Sequence, residues 1–257
     1  MKKLVSLLKL SLTRDIMYRT NFWTTIVSRI GFLIITILWF TIMYDTLLHV
    51  KDWGYSQTLF FLATFQMVET ITVAFFGNSF ASWHEHIRSG SLDTLITKPI
   101  DIQLTLSLQA ISLPNLLTIL APLVLVISLN TQAHLITSLG TLAWYLISIC
   151  LGVTIFYSVW LTLMTILFWF IGVEHWSNIF HSLTGFMQVP PIIYEGIIKV
   201  LFYYILPIFA AVLLPVQFIF TQDITNLGYL AIISIISLVL SRVFFLFGLR
   251  SYSSASS

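Results

Sequence analysis

Apolar runs of twenty or more residues recur along this chain almost without charge, and they constrain its fold before anything else does. From Leu227 to Phe247 the sequence reads LGYLAIISIISLVLSRVFFLF, in which Arg242 is the only charged side chain. As a helix rising about 1.5 Å per residue, such a run matches a bilayer hydrocarbon core about 30 Å thick. The chain is 58% hydrophobic and 9% charged, whereas soluble domains carry about 25% charged residues. A water-facing surface cannot be built from so few charges. The expected fold is therefore an all-α integral membrane protein.

About six transmembrane helices are expected in a single transmembrane domain over 21–250, at about 22–47, 56–82, 102–129, 143–171, 178–193 and 227–247. The run from Leu135 to Phe170 is too long for one straight span, so its first turns should approach along the interface. Residues 1–20 are amphipathic: Leu4, Leu8, Leu12 and Ile16 form an i+4 line, with Lys2, Lys9 and Arg14 facing elsewhere. The tail, 251–257, is short and hydrophilic. Ten of the twelve Lys and Arg residues fall on one side of this topology: Lys2, Lys3, Lys9, Arg14, Arg19, Arg29, Arg88, Lys98, Arg242 and Arg250. Lys51 and Lys199 fall on the other. The positive-inside rule then places both termini in the cytoplasm. Arg29, one to two turns inside the first span, is expected to snorkel back to the interface.

Two stretches depart from plain spans. Pro190, Pro191, Pro207 and Pro215 crowd the region that also holds Glu195 and Lys199. That density suits a broken, partly re-entrant segment over about 195–220. The second stretch is the polar loop HEHIRSGSLDTLITKPIDIQL, His84 to Leu104. Gly90 permits a sharp turn, Ser91 reads as an N-cap, and Asp93 suits the first turn of a helix over Leu92–Thr97. Pro99 ends that helix by disfavouring it at Lys98. Leu92, Leu95 and Ile96 would share one apolar face, so the loop presents a short, capped helix rather than a mere connection.

The string Arg88-x-Gly90-x-Leu92-Asp93-x-Leu95-x-x-Lys98-Pro99 resembles the cytoplasmic-loop signature of ABC-2-type transporter permeases. The spacing Pro190 to Pro215 and the ending Gly248-Leu249-Arg250-x-Tyr252-x-Ser254-Ala255 are similar to the branch of about 260 residues. This resemblance implies a type V exporter-like fold. Residues 1–20 would be an elbow helix, and the loop at 83–101 a coupling loop that docks on a separate ATPase subunit. Glu195 to Phe220 would form an extracellular re-entrant hairpin. It also implies that ATP and magnesium are bound by that partner and no cofactor by this chain. A second permease chain, identical or paralogous, would complete the path, in contact with membrane lipids of a bacterial cell membrane and with no nucleic acid.

The residues themselves agree on where the energy must come from. A phosphate-binding loop needs Lys followed by Ser or Thr, and none of Lys2, Lys3, Lys9, Lys51, Lys98 or Lys199 has such a neighbour. Catalytic and metal readings are weak. His84 and His86 do not make an HExxH motif, His175 and His181 do not share a helix face, and Cys150 reads as a small packing residue. Glu69, an acid within the second span, is the candidate intramembrane polar site, paired either functionally or with nearby hydroxyls. Trp53, Trp83, Trp169 and Trp176 suit interfacial belts, and Phe61, Phe65 and Tyr157 are candidates for lining a path. The alternatives are an ion-gradient-driven secondary transporter, which should show repeats and several buried charges, and a non-transporting assembly or immunity protein.

Overall fold

The computed structural model describes residues 19–46, 54–97, 99–170, 176–188 and 191–252. Its helices are α1 (Arg19–Thr46), α2 (Tyr55–Thr72), α3 (Trp83–Arg88), α4 (Ser91–Ile96), α5 (Ile102–Ser107), α6 (Leu113–Thr118), α7 (Leu120–Ala133), α8 (Leu139–Thr165), α9 (Trp176–Gly185), α10 (Gly196–Val200), α11 (Ile208–Thr221) and α12 (Thr225–Ser251). Helix α2 continues through a π-helical turn, Val73–Gly77, into Asn78–Ala81. Five stretches are long and apolar enough to cross a membrane: Arg19–Ile42, Tyr55–Arg88, Leu113–Ala133, Leu139–Phe168 and Thr225–Ser251. Gly196–Ile205 and Ile208–Thr221, bent by 82°, make up to a sixth. The chain is an all-α, multi-pass membrane bundle with a bent segment before its last helix. Except for Arg19 and Thr20, the amphipathic stretch 1–20 lies outside the described residues, as do 253–257.

Helix α2 is the axle of the bundle. Phe60, Phe61, Leu62 and Ala63 are all fully buried, and four consecutive helical residues point in every direction, so α2 is covered on all sides. Its span is 83% buried, against 17% for α1 and 22% for α12, whose outer faces are exposed. Lipid tails are as apolar as Leu, so the helices associate through close packing rather than hydrophobic burial. Helices α8 and α11 show how. Pro215 has no N–H to offer the carbonyl of Ala211 four residues earlier. A Cβ at Gly152 would lie 2.6 Å from that same Ala211 oxygen. Only glycine lets α8 come this close, and the carbonyl that Pro215 leaves undonated is sealed against α8.

Three features differ from the sequence-based expectations. The third span does not begin at 102. Helix α5 ends at Ser107, and a new span starts at Leu113, with Pro114 in the first turn of α6, where a missing N–H costs nothing. The intervening backbone is held by α2. The Ser112 N–H donates to Ala74 O at 2.8 Å and the Ala110 N–H to Ser79 Oγ at 3.1 Å. The π-turn shifts the α2 hydrogen-bond ladder just where Ala74 O takes this outside donor.

The fifth span expected at 178–193 is not a span. Helix α9 has ten residues, about 15 Å of rise, and gives way to a 3₁₀ turn at Phe186–Gln188. The crossing is made by α11 instead. Gln222, at its end, donates through Nε2 to Leu135 O and accepts from Thr141 Oγ1 at the end of the bundle away from the 84–104 loop. Pro207, at its start, lies beside Ser158 and Ser241 toward the loop end. Gly196–Ile205 runs nearly perpendicular to α11, so it lies across the bundle at the depth of Pro207. The bend at Leu206 and Pro207 therefore lies toward the loop end of the bundle.

Aromatic residues also move from their expected places. Trp83 is fully buried, edge-on to Phe80 and Phe245, rather than in an interfacial belt. Phe61 is in the core. Trp169 is partly exposed as a belt residue would be, Cys150 faces outward instead of packing, and Trp53 lies outside the described residues.

Candidate functional site

The 84–104 loop folds into three short helices, and its backbone geometry follows from one glycine. Gly90 takes a left-handed conformation, φ 71°, which a side chain would strain. It is the residue that caps α4, one position before the expected Ser91. Ser91 is already helical, and its hydroxyl instead meets His86 Nδ1 at 2.9 Å. The other His86 nitrogen meets Gln109 Oε1 at 2.9 Å. His86 thus bridges α3, α4 and the segment after α5. Among the described residues no cluster of three His, Cys, Asp or Glu side chains could hold a metal.

Within α4 the apolar face divides. Leu92 is fully buried and Leu95 packs partly against the same core, so these two seat the helix. Thr94, Ile96, Thr97, Pro99 and Ile100 are exposed, and Ile96 and Ile100 are each at least 40% so. Arg88 is exposed and Asp93 half-buried. Lys98 lies outside the described residues. The surface offered outward is therefore the Ile96–Ile100 side, not the Leu92 face that the apolar pattern suggested.

A polar strut locks this loop to the spans. Asp101 caps α5 by accepting from the Leu104 N–H at 3.0 Å. Arg242 of α12 grips both oxygens of the same carboxylate, at 3.1 and 2.5 Å, and donates to Gln103 Oε1 at 2.8 Å. Gln103 Nε2 donates in turn to the Tyr157 hydroxyl on α8 at 2.8 Å, and that hydroxyl also meets Ser107 Oγ at 3.0 Å. Burial pushes the Asp101 carboxyl up, but the Leu104 N–H and the Arg242 guanidinium outweigh it and hold it below the ordinary carboxylate value. Tyr157 is thus a strut residue and not a wall of a path. Arg242 had shown itself in the sequence only as one more basic residue; its lone position in an apolar run was the available signal.

Glu69 sits elsewhere, in the middle of α2, with its side chain 8% exposed. Arg29 of α1 does not snorkel: its Nη1 lies 2.7 Å from Glu69 Oε2. An unpaired carboxylate at this depth costs far more than bending a long side chain inward. His181 of α9 approaches the other oxygen, Oε1, with Nδ1 at 3.9 Å. Ser28, Phe32, Phe65, Gln66, Thr184 and Gly185 complete a cleft of about 420 Å³ around the pair.

The prolines have separate fates. Pro190 lies outside the described residues. Pro191 is buried and opens a 3₁₀ turn, Pro207 precedes α11 at the bend, and Pro215 lies within α11.

No curated protein and no solved structure matches the chain. A family model described as ABC-2 family transporter protein matches residues 30–256, nearly the whole described bundle, loop and bent segment included. The chain belongs to the ABC-2 family of transporter proteins, as a multi-pass membrane subunit.

Proposed function

We propose that this chain is the permease subunit of an ATP-driven exporter in a bacterial cell membrane, with both termini cytoplasmic. A second permease chain, identical or paralogous, forms the other half of the path. ATP and magnesium are bound by separate ATPase subunits, whose closure is received by the 84–104 loop. The observation that carries this reading is the union of an outward-facing patch with a rigid anchor. Ile96, the last residue of a helix seated by Leu92, and Ile100 in the turn after it are both exposed, and the next residue, Asp101, is gripped by Arg242 of a full-length span. A push on the patch is handed to α12 through a bidentate pair and to α8 through Gln103 and Tyr157. Short, satisfied polar links suit a lever because they resist stretching where an apolar contact would slide.

The test is the double variant Ile96→Asp with Ile100→Asp in the complex carrying its ATPase. Both side chains are solvent-facing, so the purified permease should keep its thermal unfolding midpoint. Copurification with the ATPase and coupled transport should fall at least tenfold, since a buried unpaired charge removes more than about 1.4 kcal/mol of docking energy. A double variant that couples normally overturns the docking role of this surface.

A further inference from the structure

We propose that the Arg29–Glu69 cleft is a binding site for a zwitterionic amphiphile, one bearing a primary ammonium and an anionic phosphate oxygen. It goes beyond the coupling reading and does not rest on it.

The pair is built with bonding capacity left over. Arg29 and Glu69 meet through one nitrogen and one oxygen, not through the two-pronged fork that guanidinium and carboxylate readily make. Among the described residues that is the only hydrogen bond either side chain makes, so the remaining Arg29 N–H groups are open to an anionic oxygen. Glu69 Oε1 faces His181 Nδ1 across 3.9 Å, too far for a hydrogen bond. A donor lying between them could reach both at about 2.8 Å. Ion pairs inside a bilayer are rarely retained for stability, because well-packed apolar side chains do as well.

The charge pattern selects the ligand. A simple anion would be repelled by Glu69, and a simple cation by Arg29. A group carrying both charges matches each pole and leaves the site neutral. The ammonium needs N–H donors to bridge Oε1 and Nδ1, which a trimethylated nitrogen lacks. Phe32 and Phe65 form the apolar walls. Phe32 continues at helical spacing into Ile35 and Trp39, both exposed on α1, so an acyl chain has a track beside the headgroup.

The test uses the purified full chain, with no ATPase, and native mass spectrometry of retained lipid. The probes are phosphatidylethanolamine, phosphatidylcholine and phosphatidylglycerol with identical acyl chains. Phosphatidylethanolamine should be retained about tenfold over the other two, the weight of one charge-assisted hydrogen bond. Glu69→Gln should remove that preference. Gly185→Leu serves as the second variant: a Cβ at 185 meets nothing within 4 Å, so the larger side chain has room to enter the cleft while both partners of the ion pair are kept. It should lower phosphatidylethanolamine retention about tenfold at an unchanged unfolding midpoint. Displacement by soluble O-phosphoethanolamine assigns the affinity to the headgroup and supports the proposal. Equal retention of the three lipids, full retention in Gly185→Leu, or displacement by phosphatidylcholine but not by phosphoethanolamine would overturn it. Coupling to an ATPase is unaffected by any of these outcomes.

Discussion

Two arginine–carboxylate pairs tie this bundle together, and they are built in opposite ways. Arg242 and Asp101 meet at the loop end, 37% and 34% exposed, through a two-pronged contact that continues into Gln103, Tyr157 and Ser107. Arg29 and Glu69 meet within the spans, 24% and 8% exposed, through a single contact beside an open cleft. The first pair commits three of the five Arg242 N–H groups and both Asp101 oxygens to other parts of the chain, which ties the loop to α12. The second keeps capacity in reserve, which makes it a receptor for something else. Charge in an apolar chain is scarce, and its geometry says how it is used.

The largest effect should come from splitting the inner pair. Arg29→Leu strands a nearly buried carboxylate within the bundle and should lower stability by about 3 kcal/mol. Adding Glu69→Leu should recover most of that loss, because the stranded charge is gone. Thermal unfolding of the single and double variants in detergent checks it. A double variant as unstable as the single one would mean that the pair is not the isolated unit described here.

A smaller effect is expected at the joint. Arg242→Gln removes the bidentate grip on a carboxylate that water partly screens, so stability should fall by only about 1 kcal/mol. Amide hydrogen exchange over 101–107 should nonetheless rise, since Asp101 and Gln103 both lose their anchor to α12. Unchanged exchange there would remove the strut from the coupling argument.

The smallest effect is that of acid. The folded Asp101 carboxyl titrates below its ordinary value of 3.8, so its contribution is fully present above that value. It is lost only as pH falls through the lowered folded value. Unfolding midpoints should therefore hold from neutral pH down to about pH 5 at this joint, in both wild type and Arg242→Gln. Below the ordinary carboxylate value the two should converge. Convergence already at pH 6 would show that Asp101 is not the group that Arg242 stabilises.

Much of this architecture was legible in one dimension. Run length and the scarcity of charge specify helices that cross a bilayer, because no other arrangement satisfies backbone groups in lipid. The loop at 84–104 stood out because polar residues and Gly90 interrupt that pattern, and a left-handed turn does occur at Gly90. The bend before the last helix was legible in its prolines. Local chemistry sufficed for each, since each depends on neighbours within a few residues.

What escaped depended on residues far apart in sequence. The apolar face of α4 reads the same whether it packs inward or faces outward, and only the surrounding core buries Leu92 and leaves Ile96 exposed. The third span begins later than the apolar run suggests because its break is stabilised by Ala74 and Ser79, which lie 38 and 31 residues before the Ser112 and Ala110 they hold. Arg29 and Arg242 looked like interchangeable basic residues near span ends. Their partners stand 40 and 141 residues away, and no periodicity encodes a pairing at such a separation. Composition and spacing chose the solvent and the element type. Which charge meets which was decided by how the helices pack, α1 against α2 for Arg29 and Glu69, and α12 against the start of α5 for Arg242 and Asp101.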